Sequence, residues 1–205
     1  AEGLTMDLSQ IDFDRLRKEF SRRVSHKNST LEDVRKIVED KLQRMLAQNP
    51  LRMDYYRKYL EIVAEYNREK DRVTVEETFA RLMKFAESLD EEQQRAVREG
   101  LSENELALFD LLYKETLSKP QLERLKQASK GLLASLKDLL KQMEHWTKNP
   151  QTQAEVEVFI LDRLCESLPT PPFSEDERDQ VAKKVYEFVW QRSADPRLFQ
   201  ELLVA

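Results

Sequence analysis

The sequence contains an acid-x-lysine triplet with the spacing that metal-dependent nucleases use. Glu39, Asp40 and Lys41 are consecutive, and in such enzymes the acid holds a divalent ion while the lysine polarises the attacking water. That chemistry places both side chains on one face of a strand, where residues two apart point the same way. Here the triplet lies in the middle of a predicted helix, on which residues two apart point away from each other. We therefore interpret the triplet as structural.

A second acidic run, Asp90-Glu91-Glu92-Gln93, has the composition of the motif with which ATP-driven helicases position magnesium and water at the end of a strand. A simpler interpretation is available, because an aspartate side chain readily accepts hydrogen bonds from the first NH groups of a helix. We predict a helix N-cap at Asp90 and no nucleotide site there.

The residues that usually build cofactor, metal or nucleophile sites are scattered along the chain. A phosphate-binding loop needs clustered glycines, but Gly3, Gly100 and Gly131 each stand alone. His26 and His145 are far apart and are predicted at the surface or at helix ends. Cys165 follows Leu164 in an apolar helical pattern and is predicted to be a small core residue. We predict no catalytic residue, cofactor or metal in this chain; an enzyme stays open only because its 39 acidic residues could cluster in space.

The elements that position these residues are predicted to be helices. Three glycines and seven prolines in 205 residues are too few for a turn-rich β-protein or a nucleotide-binding α/β sheet. Charged residues at 36% against 40% hydrophobic fit long amphipathic helices. The predicted fold class is all-α, an irregular multi-helix bundle of about nine helices with short capped turns. Helices are expected at 12–24, 30–48, 52–72, 75–89, 91–99, 103–115, 119–145, 151–167 and 175–193, with a short further helix at 196–203.

Capping residues mark many of the expected helix ends. A Ser or Thr followed three residues later by Glu or Gln satisfies the first NH groups of a helix reciprocally. This pattern occurs at Thr74 with Glu77, Ser102 with Glu105, Ser118 with Gln121 and Ser174 with Glu177. Asn149-Pro150 and Asp195-Pro196 predict further starts. Gly100, followed by Leu101, has the place of a left-handed residue that closes a helix C-terminus.

The domain organisation predicted from these marks is one main helical domain over 1–148, with the C-terminal helices of 149–205 packing on it. Prolines prevent a helix over 168–173, which is expected to be an exposed connector and a candidate partner-facing loop. No apolar run is long enough to cross a bilayer, and no signal-peptide pattern opens the sequence. We expect a soluble, cytoplasmic protein without membrane contact.

The formal net charge of −5 hides a basic segment near the N-terminus. Residues 15–58 contain 13 Lys and Arg against 6 Asp and Glu. Such a split suggests a basic face for nucleic acid or an acidic partner, although ordinary solvated helix surface explains it equally well. Tyrosines in the same region are predicted to pack at the rim of the core rather than to stack on bases. The candidate DNA or partner contacts are Arg15, Arg17, Lys18, Arg22, Arg23, Arg44, Arg57, Lys58, Tyr66, Asn67 and Arg68.

Several segments carry a family resemblance. The first is the segment from Met53 to Leu82, which contains Ile62-Val63-Ala64-Glu65-Tyr66-Asn67-Arg68-Glu69-Lys70-Asp71-Arg72-Val73 and Glu76-Glu77-Thr78-Phe79. The others are Ile11-Asp12-Phe13-Asp14-Arg15-Leu16-Arg17, Met45-Leu46-Ala47-Gln48-Asn49-Pro50 and Gly100-Leu101-Ser102-Glu103-Asn104-Glu105-Leu106-Ala107-Leu108-Phe109-Asp110-Leu111-Leu112. Together these segments resemble the C-terminal region of type I restriction enzyme R subunits, the subunits of restriction and translocation. The similarity covers most of the chain and weakens after about residue 145. Its motifs are structural rather than catalytic.

The resemblance implies that the chain is a fragment of an ATP-dependent type I site-specific deoxyribonuclease. The nuclease domain and two helicase-like ATPase domains, with their ATP and magnesium, would lie in the preceding parts. The helical C-terminal region of the family is thought to dock the motor subunit onto the methyltransferase and specificity subunits, so these are the expected partners. The alternative hypothesis is a helical domain that binds duplex DNA directly through the basic N-terminal helices. The basic N-terminal helices and the Tyr66-Asn67-Arg68 turn are expected near the motor or its DNA, because they would follow it in the intact chain. The acidic later helices would then face the partner subunits.

Overall fold

The structure is a computed structural model, and it describes residues 17–18, 20, 22, 27–68, 72–143 and 145–204. Every regular element within these ranges is helical, which confirms the predicted all-α class. The α-helices are α1 (Lys27–Gln48), α2 (Met53–Arg68), α3 (Arg72–Gln93), α4 (Arg95–Glu99), α5 (Glu103–Leu112), α6 (Lys119–Leu140), α7 (Pro150–Ser167), α8 (Glu175–Ala194) and α9 (Pro196–Val204). Short 3₁₀ turns lie at Pro50–Arg52 and Trp146–Lys148. No helix in the described ranges is both long and apolar enough to span a membrane.

The chain forms two compact units, residues 1–95 and 96–205. The sequence pattern instead places the division at 148, where Asn149-Pro150 begins a new helix. In the structure α7 begins inside the second unit, because it packs against both α6 and α8. A capping residue is a local signal, and it does not report which helices share a core.

The first unit is built around α3, on which both α1 and α2 pack. The packing follows from apolar side chains that recur every three or four residues on each helix. Phe20 stacks on Phe79 with ring centroids 3.7 Å apart. The buried apolar residues are Phe20, Leu31, Val34, Val38, Leu42, Met45, Tyr59, Val75, Phe79, Leu82, Met83, Phe85, Ala86 and Leu89.

The second unit packs α5, α6, α7 and α8 around a separate core. Its centre includes Val156, Ile160 and Leu164, which form one stripe of α7 and are fully buried. Trp146 is also buried, and its Nε1 donates a hydrogen bond to Ser193 Oγ at 3.1 Å. Each such apolar side chain contributes about 1.5–3 kcal/mol to folding through the surface removed from water.

The predicted caps are confirmed at most helix starts. Ser102 Oγ accepts from the Glu105 backbone NH at 3.2 Å, and Glu105 Oε2 accepts from the Ser102 NH at 2.8 Å. The same reciprocal pair links Ser174 and Glu177. The Oδ1 atoms of Asn149 and Asp195 accept from the NH groups two residues further on, and Gln121 Oε1 accepts from the Ser118 NH at 2.8 Å. These signals are reliable because both partners lie within one helical turn.

Two predicted caps are wrong. α3 already includes Arg72, so Thr74 lies inside this helix rather than before it. The same helix continues through Asp90 to Gln93, so Asp90 does not start a helix. Its carboxylate instead forms an ion pair with Lys41 of α1. A contact with a residue so distant in sequence leaves no local pattern from which it could be predicted.

The proline-containing segment 168–173 is anchored more firmly than an exposed connector would be. Leu168 and Phe173, at its two ends, are buried in the core of the second unit. Lys114 Nζ donates a hydrogen bond to the carbonyl oxygen of Pro172 at 3.0 Å and lies 5.0 Å from the centre of the Phe173 ring. The prediction that this segment is not helical is confirmed. The prediction that it is exposed holds only for its middle residues.

Cys165 is exposed, so its prediction as a core residue is wrong. The buried stripe of α7 runs through Ile160 and Leu164. The residue after Leu164 is rotated by about 100° around the helix axis, and this rotation turns it away from the core.

A pair of glycine substitutions should have opposite effects on stability. Gly100 has a φ of +66°, and Leu101 NH donates to the Ala96 carbonyl at 2.9 Å, as in a left-handed helix C-cap. Gly100→Ala should lower the free energy of unfolding by about 1 kcal/mol, because the left-handed conformation strains any residue with a Cβ.

Gly131 is the matched control, since it lies inside α6 and a Cβ would meet no atom within 4 Å at either glycine. Gly131→Ala should raise the free energy of unfolding by about 0.5–1 kcal/mol, because alanine loses less backbone entropy in a helix. Urea denaturation of both variants measures the two effects. If both substitutions change the free energy of unfolding in the same direction, Gly100 is not a left-handed cap.

Candidate partner-binding surface

The candidate contact residues that the structure describes lie on exposed helices of the first unit. Arg15 and Arg23 lie outside the described residues. Arg17, Lys18 and Arg22 are exposed on helical residues before α1, Arg44 is exposed on α1, and Arg57, Lys58, Asn67 and Arg68 are exposed on α2, where Tyr66 is half-buried. Five of these residues, those from Arg57 to Arg68, therefore lie on α2. We take the exposed side of α2 as the candidate surface.

Several basic residues near the N-terminus form ion pairs with the acidic helix α3. Arg17 pairs with Glu87, Lys27 with Glu76, and Lys41 with Asp90. Arg81 of α3 in turn pairs with Glu65 of α2. Residues 1–95 contain 19 Lys and Arg against 20 Asp and Glu, counted over the whole first unit. The basic charge of 15–58 is thus offset by acidic residues elsewhere in the same unit.

The acid-x-lysine triplet has the structural role predicted for it. Glu39 accepts a hydrogen bond from the Tyr59 hydroxyl at 3.2 Å, Asp40 is exposed, and Lys41 is buried against Asp90. Burial lowers the pKa of the Lys41 ammonium, and the nearby charge of Arg44 acts in the same direction. Burial likewise raises the pKa of the Tyr59 hydroxyl. The three side chains contact different neighbours and do not form a joint site.

The second acidic run also has a structural role. Glu92 is buried at the end of α3 and binds two arginines. Its Oε1 accepts from Arg52 Nε at 3.1 Å, and its carboxylate accepts from Arg95 Nε at 3.0 and 2.9 Å. Arg52 also donates to the Met45 carbonyl at 3.4 Å. This Arg52–Glu92–Arg95 triad fastens the last turn of α3 to the turn between α1 and α2, and no pattern in the sequence indicates it.

The inner side of α2 confirms the prediction that the tyrosines of this region pack at the rim of the core. Tyr59 is buried, and Tyr55 and Tyr66 are half-buried against the core of the first unit. The Tyr59 and Phe85 rings lie 6.2 Å apart. Rings that are packed in this way are not free to stack on nucleic-acid bases.

The outer side of α2 exposes apolar residues that sequence reasoning did not single out. Leu51, Met53 and Leu60 are 47%, 44% and 45% exposed. Met53, Leu60 and Ala64 are spaced by seven and four residues, so they share one face of the helix. We call this row of side chains, with Leu51 before it, the outer stripe. The sequence shows apolar residues on both sides of α2 and cannot tell which side is covered.

Polar residues end the outer stripe at the C-terminus of α2. Arg68 follows Ala64 by one helical turn and Asn67 follows Leu60 by two, and both are exposed. Arg57 lies one turn after Met53 and pairs with Asp54 at 3.3 Å, in a pair that is mostly exposed. Arg68 forms no ion pair with any residue in the part of the chain that the structure describes. The Lys58 ammonium lies 5.6 Å from the centre of the Tyr55 ring.

Within the described ranges, no three His, Cys, Asp or Glu side chains are grouped so that they could hold a metal ion. His145 is exposed and has a left-handed φ of 53° before the Trp146–Lys148 turn, which confirms its prediction at the surface or a helix end. His26 lies outside the described residues.

Comparison with known proteins identifies one family. The family model described as Type I restriction enzyme HindI endonuclease subunit-like, C-terminal, matches residues 3–192. No curated protein and no solved structure matches the chain. The match extends through both units and confirms the resemblance seen in the sequence. The chain therefore belongs to the family of C-terminal domains of type I restriction enzyme HindI endonuclease subunit-like proteins.

Proposed function

We propose that this chain is an assembly domain, which docks the ATP-dependent translocase and nuclease of a type I restriction endonuclease onto the methyltransferase and specificity subunits. The observation that carries the proposal is the exposure of Leu51, Met53 and Leu60 on the first unit of a domain of this family. Grouped exposed apolar side chains are typical of surfaces that bind proteins. Catalysis, ATP and magnesium belong, on this proposal, to other domains of the same cytoplasmic complex.

The electrostatics favour a protein partner over direct binding of duplex DNA. Affinity for DNA comes mainly from Lys and Arg that neutralise phosphates and release counterions. In the first unit, Arg17 and Lys27 face carboxylates of α3, and Lys41 and Arg52 are buried with Asp90 and Glu92. At these four positions a DNA phosphate would have to displace a carboxylate, whereas Lys18, Arg22, Arg44, Lys58 and Arg68 are exposed.

The test is to titrate the chain with the purified methyltransferase–specificity assembly by isothermal titration calorimetry, without DNA. We expect saturable binding with a dissociation constant in the micromolar range or tighter, and no ATP hydrolysis or DNA cleavage by the chain alone. A parallel titration with a duplex at about 50 and 200 mM salt tests the alternative, since phosphate contacts make affinity fall by orders of magnitude over that range. Absence of binding to the assembly, together with strongly salt-dependent binding to the duplex, would replace docking by DNA binding.

A further inference from the structure

We propose that the outer stripe of α2 is the docking surface itself, and that its occupant is an amphipathic helix of the methyltransferase–specificity assembly with a carboxylate at one end of its apolar face. This inference rests on the proposed function, because the assembly is taken as the partner. It adds the position of the contact and the chemical class of the segment that fits it.

The shape of the surface favours a helix. Met53, Leu60 and Ala64 lie on one face of a single helix, with Arg57 between Met53 and Leu60 on the same face. Together they form a straight ridge about 17 Å long at 1.5 Å per residue. A ridge of this kind packs into the groove between side chains on a second helix. Leu51, in the turn before α2, extends the apolar surface beyond the helix start.

The two ends of the ridge differ in polarity. This difference determines which end of the partner helix carries the complementary charge, and therefore in which direction that helix lies. The N-terminal end is apolar, with Leu51 and Met53, whereas the C-terminal end carries the Asn67 amide and the Arg68 guanidinium. Arg68 is exposed at the end of the ridge and makes no ion pair within the described residues. A guanidinium binds a carboxylate through two parallel hydrogen bonds, so an Asp or Glu on the partner is its complement.

The second arginine on this face of α2, Arg57, is less available to a partner than Arg68. Arg57 already pairs with Asp54 at 3.3 Å, and Glu61 lies one turn further along the helix. Exposed pairs of this kind contribute little and are screened by salt. Specificity is therefore assigned to Arg68 at the end of the ridge, and affinity to the apolar side chains in its middle.

The experiment compares five variants at four positions of the chain in the titration with the assembly. Leu60→Asp places a charge in the middle of the ridge, Arg68→Glu reverses the charge at its end, and Arg68→Lys keeps that charge without the paired donors. Val97→Asp and Glu61→Gln are the controls, because Val97 is 82% exposed outside α2 and Glu61 is an exposed neighbour of the ridge. All four positions are exposed, and circular dichroism confirms that each variant is folded.

We expect Leu60→Asp and Arg68→Glu to weaken binding at least tenfold, Arg68→Lys to weaken it less than Arg68→Glu, and both controls to stay within twofold of the unchanged chain. Binding of the unchanged chain with no difference among the variants would overturn the outer stripe as the surface and leave the docking role intact. Failure of the unchanged chain to bind would overturn the docking role. If the chain associates with itself and Leu60→Asp abolishes this association, the occupant is a second copy of the chain. If the unchanged chain binds duplex DNA and Arg68→Glu loses this binding, the occupant is DNA. Either result would overturn the proposal.

Discussion

Glu92→Gln is expected to lower the free energy of unfolding of the first unit by about 3 kcal/mol, since removing one partner of a buried ion pair leaves an uncompensated charge. Arg52 is only 2% exposed, so its guanidinium would lose its counter-charge in a place that water does not reach. The amide of glutamine keeps the shape of the side chain and one acceptor oxygen. The effect therefore isolates the charge rather than the packing.

The two units can be followed separately in this experiment. Both tryptophans, Trp146 and Trp190, belong to the second unit. In a urea titration, Trp fluorescence reports on the second unit, and circular dichroism reports on helices of both. Glu92→Gln should move the first-unit transition in circular dichroism to lower urea and leave the fluorescence transition in place.

Glu77→Gln is the matched control, because it removes the same charge from an exposed position of α3. Its effect should stay within about 0.5 kcal/mol, as for most surface substitutions. If Glu92→Gln and Glu77→Gln have the same effect, the triad does not stabilise the end of α3 as a buried ion pair.

Val156→Ala is expected to lower the free energy of unfolding of the second unit by about 2–3 kcal/mol, from two buried methyl groups at about 0.8 kcal/mol each and the cavity they leave. Val156 is fully buried at the N-terminal end of the α7 stripe, on a helix that packs against α6 and α8. The loss should appear in the Trp fluorescence transition.

The same helix supplies the control. Val158 lies two residues further along α7 and is 57% exposed. Val158→Ala removes the same atoms from solvent-facing surface, so its effect should be near zero or slightly stabilising, since alanine has the higher helix propensity. Equal destabilisation by the two substitutions would show that the burial assigned to Val156 is incorrect.

The parts of the fold that the sequence predicts are those set by contacts within one or two helical turns. Ser102 and Ser174 are recognisable as caps because their partners lie three residues away. Gly100 is recognisable because its position after a helix requires a left-handed residue. The all-α class follows similarly from local periodicity.

The parts that the sequence does not predict depend on distant contacts. Asp90 resembles a cap, but Lys41 binds it from a helix about fifty residues earlier in the chain. Cys165 resembles a core residue, but only its neighbour Leu164 faces the core. The two units are defined by which helices share apolar faces, which the capping pattern does not contain.

The candidate surface was predictable in part. Arg57, Asn67 and Arg68 stand out in the sequence as polar residues of a segment with a family resemblance. Leu60 does not stand out, because it is one of several apolar residues on α2 and the packing of Tyr59 decides which of them are covered. The apolar half of the surface appears only once α2 is placed against α1 and α3.

The balance between the basic helices and the carboxylates of α3 has a kinetic consequence. A unit whose 19 cations are offset by 20 anions carries almost no net charge, and charges farther away than a Debye length of about 8 Å are screened at physiological salt. Partners are then not drawn to it by long-range steering, and association should proceed at the unsteered protein rate of about 10⁵–10⁶ M⁻¹s⁻¹.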